Sequence, residues 1–127
     1  MTGSIYTAYL YTLPVGFILV QKSKEDWTIR GTFVSEWVRG KGVGGLLLDQ
    51  TIGDFRKSRK ECFWVNISEG AESFYLKHGF QLLAKRKDFP DQIIGVYSSN
   101  YLIALQDLLI KKYRNNCTTL TGQDFQD

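Results

Sequence analysis

The segment Arg39-Gly40-Lys41-Gly42-Val43-Gly44-Gly45 constrains this chain more than any other, because of what lies on either side of it. Before it, Trp27-Thr28-Ile29-Arg30-Gly31-Thr32-Phe33-Val34-Ser35-Glu36 is rich in β-formers and reads as a strand. After it, Leu48, Ile52 and Phe55 recur at spacings of four and three, which places them on one face of a helix. The helix ends in the basic run Arg56-Lys57-Ser58-Arg59-Lys60, read as a solvated end favoured by the helix dipole. A glycine turn between a strand and a helix exposes the first amides of the helix, and these carry partial positive charge. Four glycines within six residues let backbone approach a ligand closely, and Arg39 and Lys41 add charge. The pattern suits an anion, phosphate above all. The plainer reading is a turn that only reverses the chain.

Upstream, Ser4–Thr12 and Gly16–Gln21 are apolar, β-rich runs. Pro14 and Gly16 in Leu13-Pro14-Val15-Gly16 signal a turn between them. With the strand before the loop, these predict an antiparallel meander. Downstream, Cys62-Phe63-Trp64-Val65-Asn66 reads as a short strand, parallel to the third because a helix intervenes. Ser68 caps a second helix that runs to Gly79, and Phe80–Arg86 is the next strand. Tyr101–Gln106 reads as a closing strand, with an amphipathic helix over Tyr101–Tyr113 as the competing reading, and polar Lys111–Asp127 as a loose tail.

The kind of phosphate ligand follows from context. Gly40-x-Gly42-x-x-Gly45 matches a dinucleotide fingerprint, but the next strand ends in Asn66 where an acidic residue should hold the ribose. A triphosphatase loop fails because Gly42, not Ser or Thr, follows Lys41. Val34-Ser35-Glu36-Trp37-Val38-Arg39-Gly40-Lys41-Gly42-Val43-Gly44 instead resembles the acetyl-CoA motif of the GNAT superfamily of N-acetyltransferases: a strand, Arg/Gln-x-x-Gly-x-Gly/Ala, then an apolar helix. Ala71-Glu72-Ser73-Phe74-Tyr75-Leu76-Lys77-His78-Gly79-Phe80 is similar to that family's helix ending in Tyr-x-x-x-Gly-Phe. The two motifs stand in the family's order, and the resemblance covers Tyr6 to Leu105.

The resemblance implies an α+β (α/β) fold: a mixed, mainly antiparallel sheet of about six strands with two main helices, as one domain over residues 1–106 followed by an extension, 107–127. It implies acetyl-CoA as co-substrate, no metal, and an amine as acceptor. Backbone of Thr32, Phe33 and Val34 would pair with the pantetheine arm. Amides of Gly40, Lys41, Gly42, Val43, Gly44 and Gly45 would hold the diphosphate, with Arg39 alongside. An amide near Val34 would polarise the thioester carbonyl. Ser68 stands where many members carry a coenzyme-contacting Asn, and Asn66 is two places earlier. Tyr75 matches the family tyrosine that acts as general acid; its plainer reading is a packing aromatic. Among bases, Glu36 follows the thioester strand, whereas Glu69, Glu72 and His78 read as helix-end residues stabilised by the dipole.

Members usually begin with a strand and two helices that wall the acceptor site, and this chain starts at the family's second strand. Two consequences stay open: a macromolecular acceptor that brings its own surface, or a second subunit over the gap, giving a homodimer through the apolar Tyr101–Ile110 segment. A coenzyme-binding regulatory or interaction module without turnover is the reading from another class. Composition sets the remaining bounds. A net charge of +3 over 127 residues is too mild for a nucleic-acid binder. No apolar run reaches a membrane span, and the first residues lack the order of a signal peptide, so the expected location is cytoplasmic. Cys62 and Cys117 with one His offer neither a disulfide framework nor a metal site.

Overall fold

A computed structural model describes residues 2–112 and 117–120. The chain divides into two compact units, Met1–Phe63 and Trp64–Asp127. The fold is mixed α+β with a mainly antiparallel sheet.

The first unit is a meander of β1 (Thr2–Leu10), β2 (Leu13–Lys22) and β3 (Asp26–Val34), followed by a single 3-10 turn (Glu36–Val38) and α1 (Val43–Ser58). Both strand pairs are antiparallel. One face of the meander buries Val15, Ile18, Val20, Trp27 and Ile29. α1 lies on that face and supplies Leu47, Leu48, Ile52 and Phe55. Trp27, Phe55 and Phe63 form an aromatic cluster with centroids 5.1–5.8 Å apart. Gly16 admits the helix: a Cβ there would lie 3.0 Å from the Phe33 carbonyl oxygen and 3.3 Å from Leu47 Cδ1. Thr51, a buried polar side chain of this core, donates to the Leu47 carbonyl at 2.7 Å, so its burial is compensated.

A bulge breaks the alternation of β3. Val20 pairs Ile29 and Leu19 pairs Gly31, so Arg30 is an extra residue in the ladder. Its guanidinium Nε donates to Gln21 Oε1 at 2.5 Å. Ile29 is buried under α1, whereas Phe33, four residues on and nominally on the same face, points to the opposite side and is 47% exposed.

Tyr6 ties β1 to α1. Its phenol donates to Asp54 Oδ2 at 2.9 Å and accepts from Lys22 Nζ at 3.3 Å, while Lys22 sits 4.1 Å over the Trp27 ring. Burial first, then the hydrogen bond to and the negative charge of Asp54, push the phenol up to about 12. The proton is therefore held more firmly in the fold than in the unfolded chain. This contribution to stability is complete below about pH 10, the ordinary tyrosine value, and is lost as pH rises toward 12. In an alkaline absorbance titration, one of the seven tyrosines ionises about two units after an ordinary phenol. Asp54→Asn brings that transition down and Tyr6→Phe removes it; an unchanged titration in both variants would refute the assignment.

In the second unit β4 (Cys62–Ile67) opens at the boundary, followed by α2 (Glu72–Lys77), β5 (Gln81–Arg86), β6 (Ile93–Ser98), α3 (Tyr101–Asp107) and β7 (Cys117–Thr119). The strand order here is β4-β6-β5-β7, with β5 antiparallel to both β6 and β7. Val65, Ile67, Phe80, Leu83, Ile94, Val96, Ala104 and Leu108 are buried. Gly95 lets β6 lie against β4, since a Cβ there would come 2.7 Å from Ile67 Cδ1.

Several expectations are corrected. The turn expected at Leu13–Gly16 lies at Tyr11–Thr12; Pro14 instead sits inside β2 opposite Tyr9, beside a bulge where its lost N–H is tolerated. The closing strand expected at Tyr101–Gln106 is a helix, continued by a π turn at Leu108–Lys112. Asn100 selects the helix, its side chain accepting from the amides of Leu102 at 3.1 Å and Ile103 at 3.3 Å. Ser68 does not cap α2 with its side chain: the helix starts at Glu72 behind Ala71. The expected sheet of about six strands is met with seven among the described residues, the last of them Cys117–Thr119, which pairs with β5. That segment lies within the supposed loose tail, whose residues 113–116 and 121–127 are outside the described set. No helix among the described residues is long and apolar enough to cross a membrane.

Candidate active site

Thr32, Phe33 and Val34 end β3, and Ser35 carries the pairing one residue further by donating its amide to the Val15 carbonyl at 2.8 Å. Val38, 6% exposed, anchors the 3-10 turn. Arg39 folds back on the strand: its Nε donates to the Val34 carbonyl at 3.0 Å, and its Nη1 stands 4.0 Å from Glu36 Oε1. Glu36 is thus an exposed carboxylate paired with the first cation of the loop.

The loop then makes two left-handed steps, Gly40 at φ 78° and Gly42 at φ 85°. A Cβ at either would meet nothing within 4 Å, so each glycine borders open space. Gly42 is the residue before α1 and gives the helix no side-chain cap. The first helical bond runs from the Leu46 amide to the Gly42 carbonyl at 3.0 Å. The amides of Val43, Gly44 and Gly45 precede that bond and are the orphan donors of the helix start. The first turn of α1 carries no acidic residue, so no carboxylate competes for them. Lys41 is exposed on the same loop. Arg39 and Gly40 to Gly45 are thereby gathered in one open, positively biased turn, with Thr32–Val34 and Glu36 leading into it.

The remaining candidates belong to the second unit. Ser68 is exposed after β4, and its carbonyl accepts from the Ala71 amide at 3.0 Å. Glu72 accepts from the Gly70 amide at 2.8 Å in the first turn of α2, in keeping with its reading as a helix-end residue. Tyr75, 7% exposed, packs edge-on against Phe74 at 5.1 Å and Phe80 at 5.4 Å. Gly79 turns the chain at φ 94°, with the Tyr97 ring 3.1 Å from where a Cβ would stand, and the Phe80 amide donates back to the Tyr75 carbonyl at 3.1 Å. Tyr-x-x-x-Gly-Phe is therefore a local packing device that fixes the Tyr75 ring.

A family model described as an acetyltransferase (GNAT) domain matches residues 2–82. The chain belongs to the GNAT acetyltransferase family. Solved structures agree with this GNAT chain in fold. PaiA N-acetyltransferase from Thermoplasma acidophilum, in complex with coenzyme A, is 16% identical with a TM-score of 0.66, over 76% of this chain and 60% of that one. A GNAT family acetyltransferase from Elizabethkingia anophelis, with acetyl-CoA bound, is 21% identical with a TM-score of 0.65, over 76% of each chain. IAA acetyltransferase from Bacillus cereus is 18% identical with a TM-score of 0.64, over 74% and 75%. The GNAT chain thus spans 60% of the length of the Thermoplasma protein. A sequence search of curated proteins gave no match.

Sequence reasoning missed one feature beside the loop, an apolar cleft on the face of the meander opposite α1, to which Phe17 and Phe33 contribute. Its signal was present: Phe17-Ile18-Leu19-Val20 is apolar at every position, so whichever face α1 covers, the other face is apolar too.

Proposed function

We propose that this chain is an N-acetyltransferase that moves an acetyl group from acetyl-CoA to an amine. The observation that carries the reading is the turn Gly40–Gly45, where two left-handed glycines border open space and a helix starts without a side-chain cap or an acidic first turn. The residues present fit a diphosphate there. Bound acetyl-CoA would supply an acyl group activated as a thioester. Amides of Gly40 and of Gly42 to Gly45 hold the diphosphate, the Lys41 amide expected to join them being donated to the Val38 carbonyl at 3.3 Å. Arg39 and Lys41 neutralise it, and backbone of Thr32, Phe33 and Val34 receives the pantetheine arm. Ser68 is the further coenzyme contact in this reading.

Transfer forms one N–C bond and breaks one C–S bond, so the amine must lose a proton and the departing thiolate must gain one. Glu36 takes the amine proton, directly or through water, and the Tyr75 phenol gives one to sulfur. The Val34 amide stabilises the oxyanion. The acetyltransferase domain is residues 1–106 and the extension 107–127. The location in this reading is a reducing cytoplasm, where buried thiols such as those of Cys62 and Cys117 stay reduced.

Titration calorimetry with coenzyme A, followed by thiol release from acetyl-CoA in the presence of peptide and small amines, tests the reading. One-site binding and amine-dependent release are expected. No heat with any coenzyme A species would refute it, and tight binding without release across all amines would make the chain a regulatory coenzyme-binding module.

A further inference from the structure

The face of the β1–β2–β3 meander opposite α1 holds a cleft of about 470 Å³, within the roughly 300–1,000 Å³ range of small-molecule sites. Ile5, Thr7, Tyr9, Pro14, Phe17 and Phe33 line it. The register builds it as one row across three strands, since Thr7 pairs Phe17 and Phe17 pairs Phe33. The two phenyl rings stack at 5.8 Å with planes 27° apart. Both remain 40–47% exposed, and Ile5 and Tyr9 are 66% and 63% exposed. No acidic or basic side chain lines the cleft; the hydroxyls of Thr7 and Tyr9 are its polar side-chain groups.

Its position relates it to the glycine loop. Phe33 is the middle residue of Thr32–Val34, so one strand segment offers its backbone to the coenzyme reading and its side chain to the cleft. Gly16 lies beneath, and on its α1 side a Cβ would come 3.4 Å from Val43 Cγ1 and 3.3 Å from Leu47 Cδ1, in the first turns of α1. The cleft and the anion-binding turn are therefore on opposite faces of one sheet layer, close together and without competing for space.

We propose that this cleft receives the body of the acceptor, and that the acceptor is a small primary amine carried on a single aromatic or branched aliphatic body with no second charge. The proposal rests on the acetyltransferase reading above and names its substrate class. Size and stacked phenyl walls select the body. The neutral lining selects against a polyamine or an amino sugar, whose extra ammonium groups would lose water with no carboxylate to replace it. The same lining favours the neutral form of the bound amine, because desolvation disfavours its ammonium, and the neutral form is the nucleophile. The apolar wall thus shares with Glu36 the work of presenting an unprotonated nitrogen.

The test compares 2-phenylethylamine and 3-methylbutylamine with putrescine. Binding to the full chain without coenzyme is read from ring-proton chemical shifts of Phe17 and Phe33, and acceptor kinetics are read from thiol release. The apolar amines are expected to bind at least tenfold more tightly than putrescine. Phe17→Ala should raise their KM about tenfold or more with kcat within about threefold and coenzyme calorimetry unchanged, and Phe17→Leu should recover most of the loss. Leu19→Ala, on the same face outside the cleft, should change neither constant. Equal use of putrescine, or an unaltered KM in Phe17→Ala, overturns the proposal. So does a concentration-dependent dimer in sedimentation that Phe17→Asp dissociates, which would give the face to a second copy of the chain. Coenzyme calorimetry keeps the two failures apart: absence of heat with coenzyme A refutes the acetyltransferase reading, whereas the amine shifts are read without coenzyme and fail on their own.

Discussion

Tyr75→Phe is expected to lower turnover by about 100-fold or more while coenzyme affinity stays within about twofold, in line with the usual contribution of a positioned general acid. The substitution removes one hydroxyl and keeps the ring. That ring is what Phe74 and Phe80 pack against, at 5.1 and 5.4 Å, so the end of α2 and the turn at Gly79 keep their support. A lost rate with an intact melting temperature therefore isolates the proton-donating role from packing. The chemistry motivates the size of the effect. A phenol of ordinary pKa about 10 is a weak enough acid to stay protonated at neutral pH and still a good donor to a thiolate. Thiol release from acetyl-CoA at saturating amine gives kcat, and calorimetry gives affinity. Unchanged turnover would strip Tyr75 of the acid role and leave it a packing residue.

Gly42→Val should abolish measurable coenzyme binding, a loss of about 100-fold or more, equivalent to about 2.7 kcal/mol. Two costs combine. The backbone at Gly42 is left-handed, φ 85°, which a β-branched residue adopts only at about 1–2 kcal/mol. Relaxing that strain would turn the amides of Val43, Gly44 and Gly45, whose common direction depends on the residue that opens α1. The new side chain would also project into the open space where nothing now stands within 4 Å, which is where the diphosphate is proposed to lie. Gly53→Ala is the control. Gly53 lies within α1 without a positive φ and with nothing within 4 Å of a Cβ, so alanine should stabilise the helix by roughly 0.5–1 kcal/mol and leave binding unaltered. If Gly42→Val binds coenzyme A as the parent chain does, the turn is not the diphosphate site.

What the sequence revealed and what it concealed follow from how local each signal is. The glycine turn was readable because a change of hydrophobic period from two to 3.6 falls on either side of it, and both periods are properties of neighbouring residues. The Tyr75 motif was readable for the same reason, since Gly79 and Phe80 act within one turn of the ring they support. The hairpin at Tyr11–Thr12 was misplaced because Pro14 is a turn signal only where its missing N–H matters, and opposite Tyr9 at a bulge it does not. Tyr101–Gln106 was read as strand because all but its last position are apolar, which fits both periods; the deciding group, the Asn100 side chain, lies outside the run. β6 escaped because Gly95, a poor strand residue by propensity, is required there by Val65 and Ile67, which are distant in sequence. Glu72 illustrates the converse, a carboxylate in a motif that turns out to hold the Gly70 amide.

Arg30 sets the parity of β3. Counting from Trp27, the positions on the α1 face are odd up to Ile29 and even from Thr32, which pairs Ile18, onward, and the switch comes from one supernumerary residue. Loss of Arg30 alone would keep Gly31 opposite Leu19 and Phe33 opposite Phe17, whereas pairing Arg30 into the ladder in place of the bulge would send the Phe33 ring under α1 and the side chains of Thr32 and Val34 to the other side of the sheet. The composition would be untouched, yet the end of this one strand would have exchanged the chemistry of its two faces.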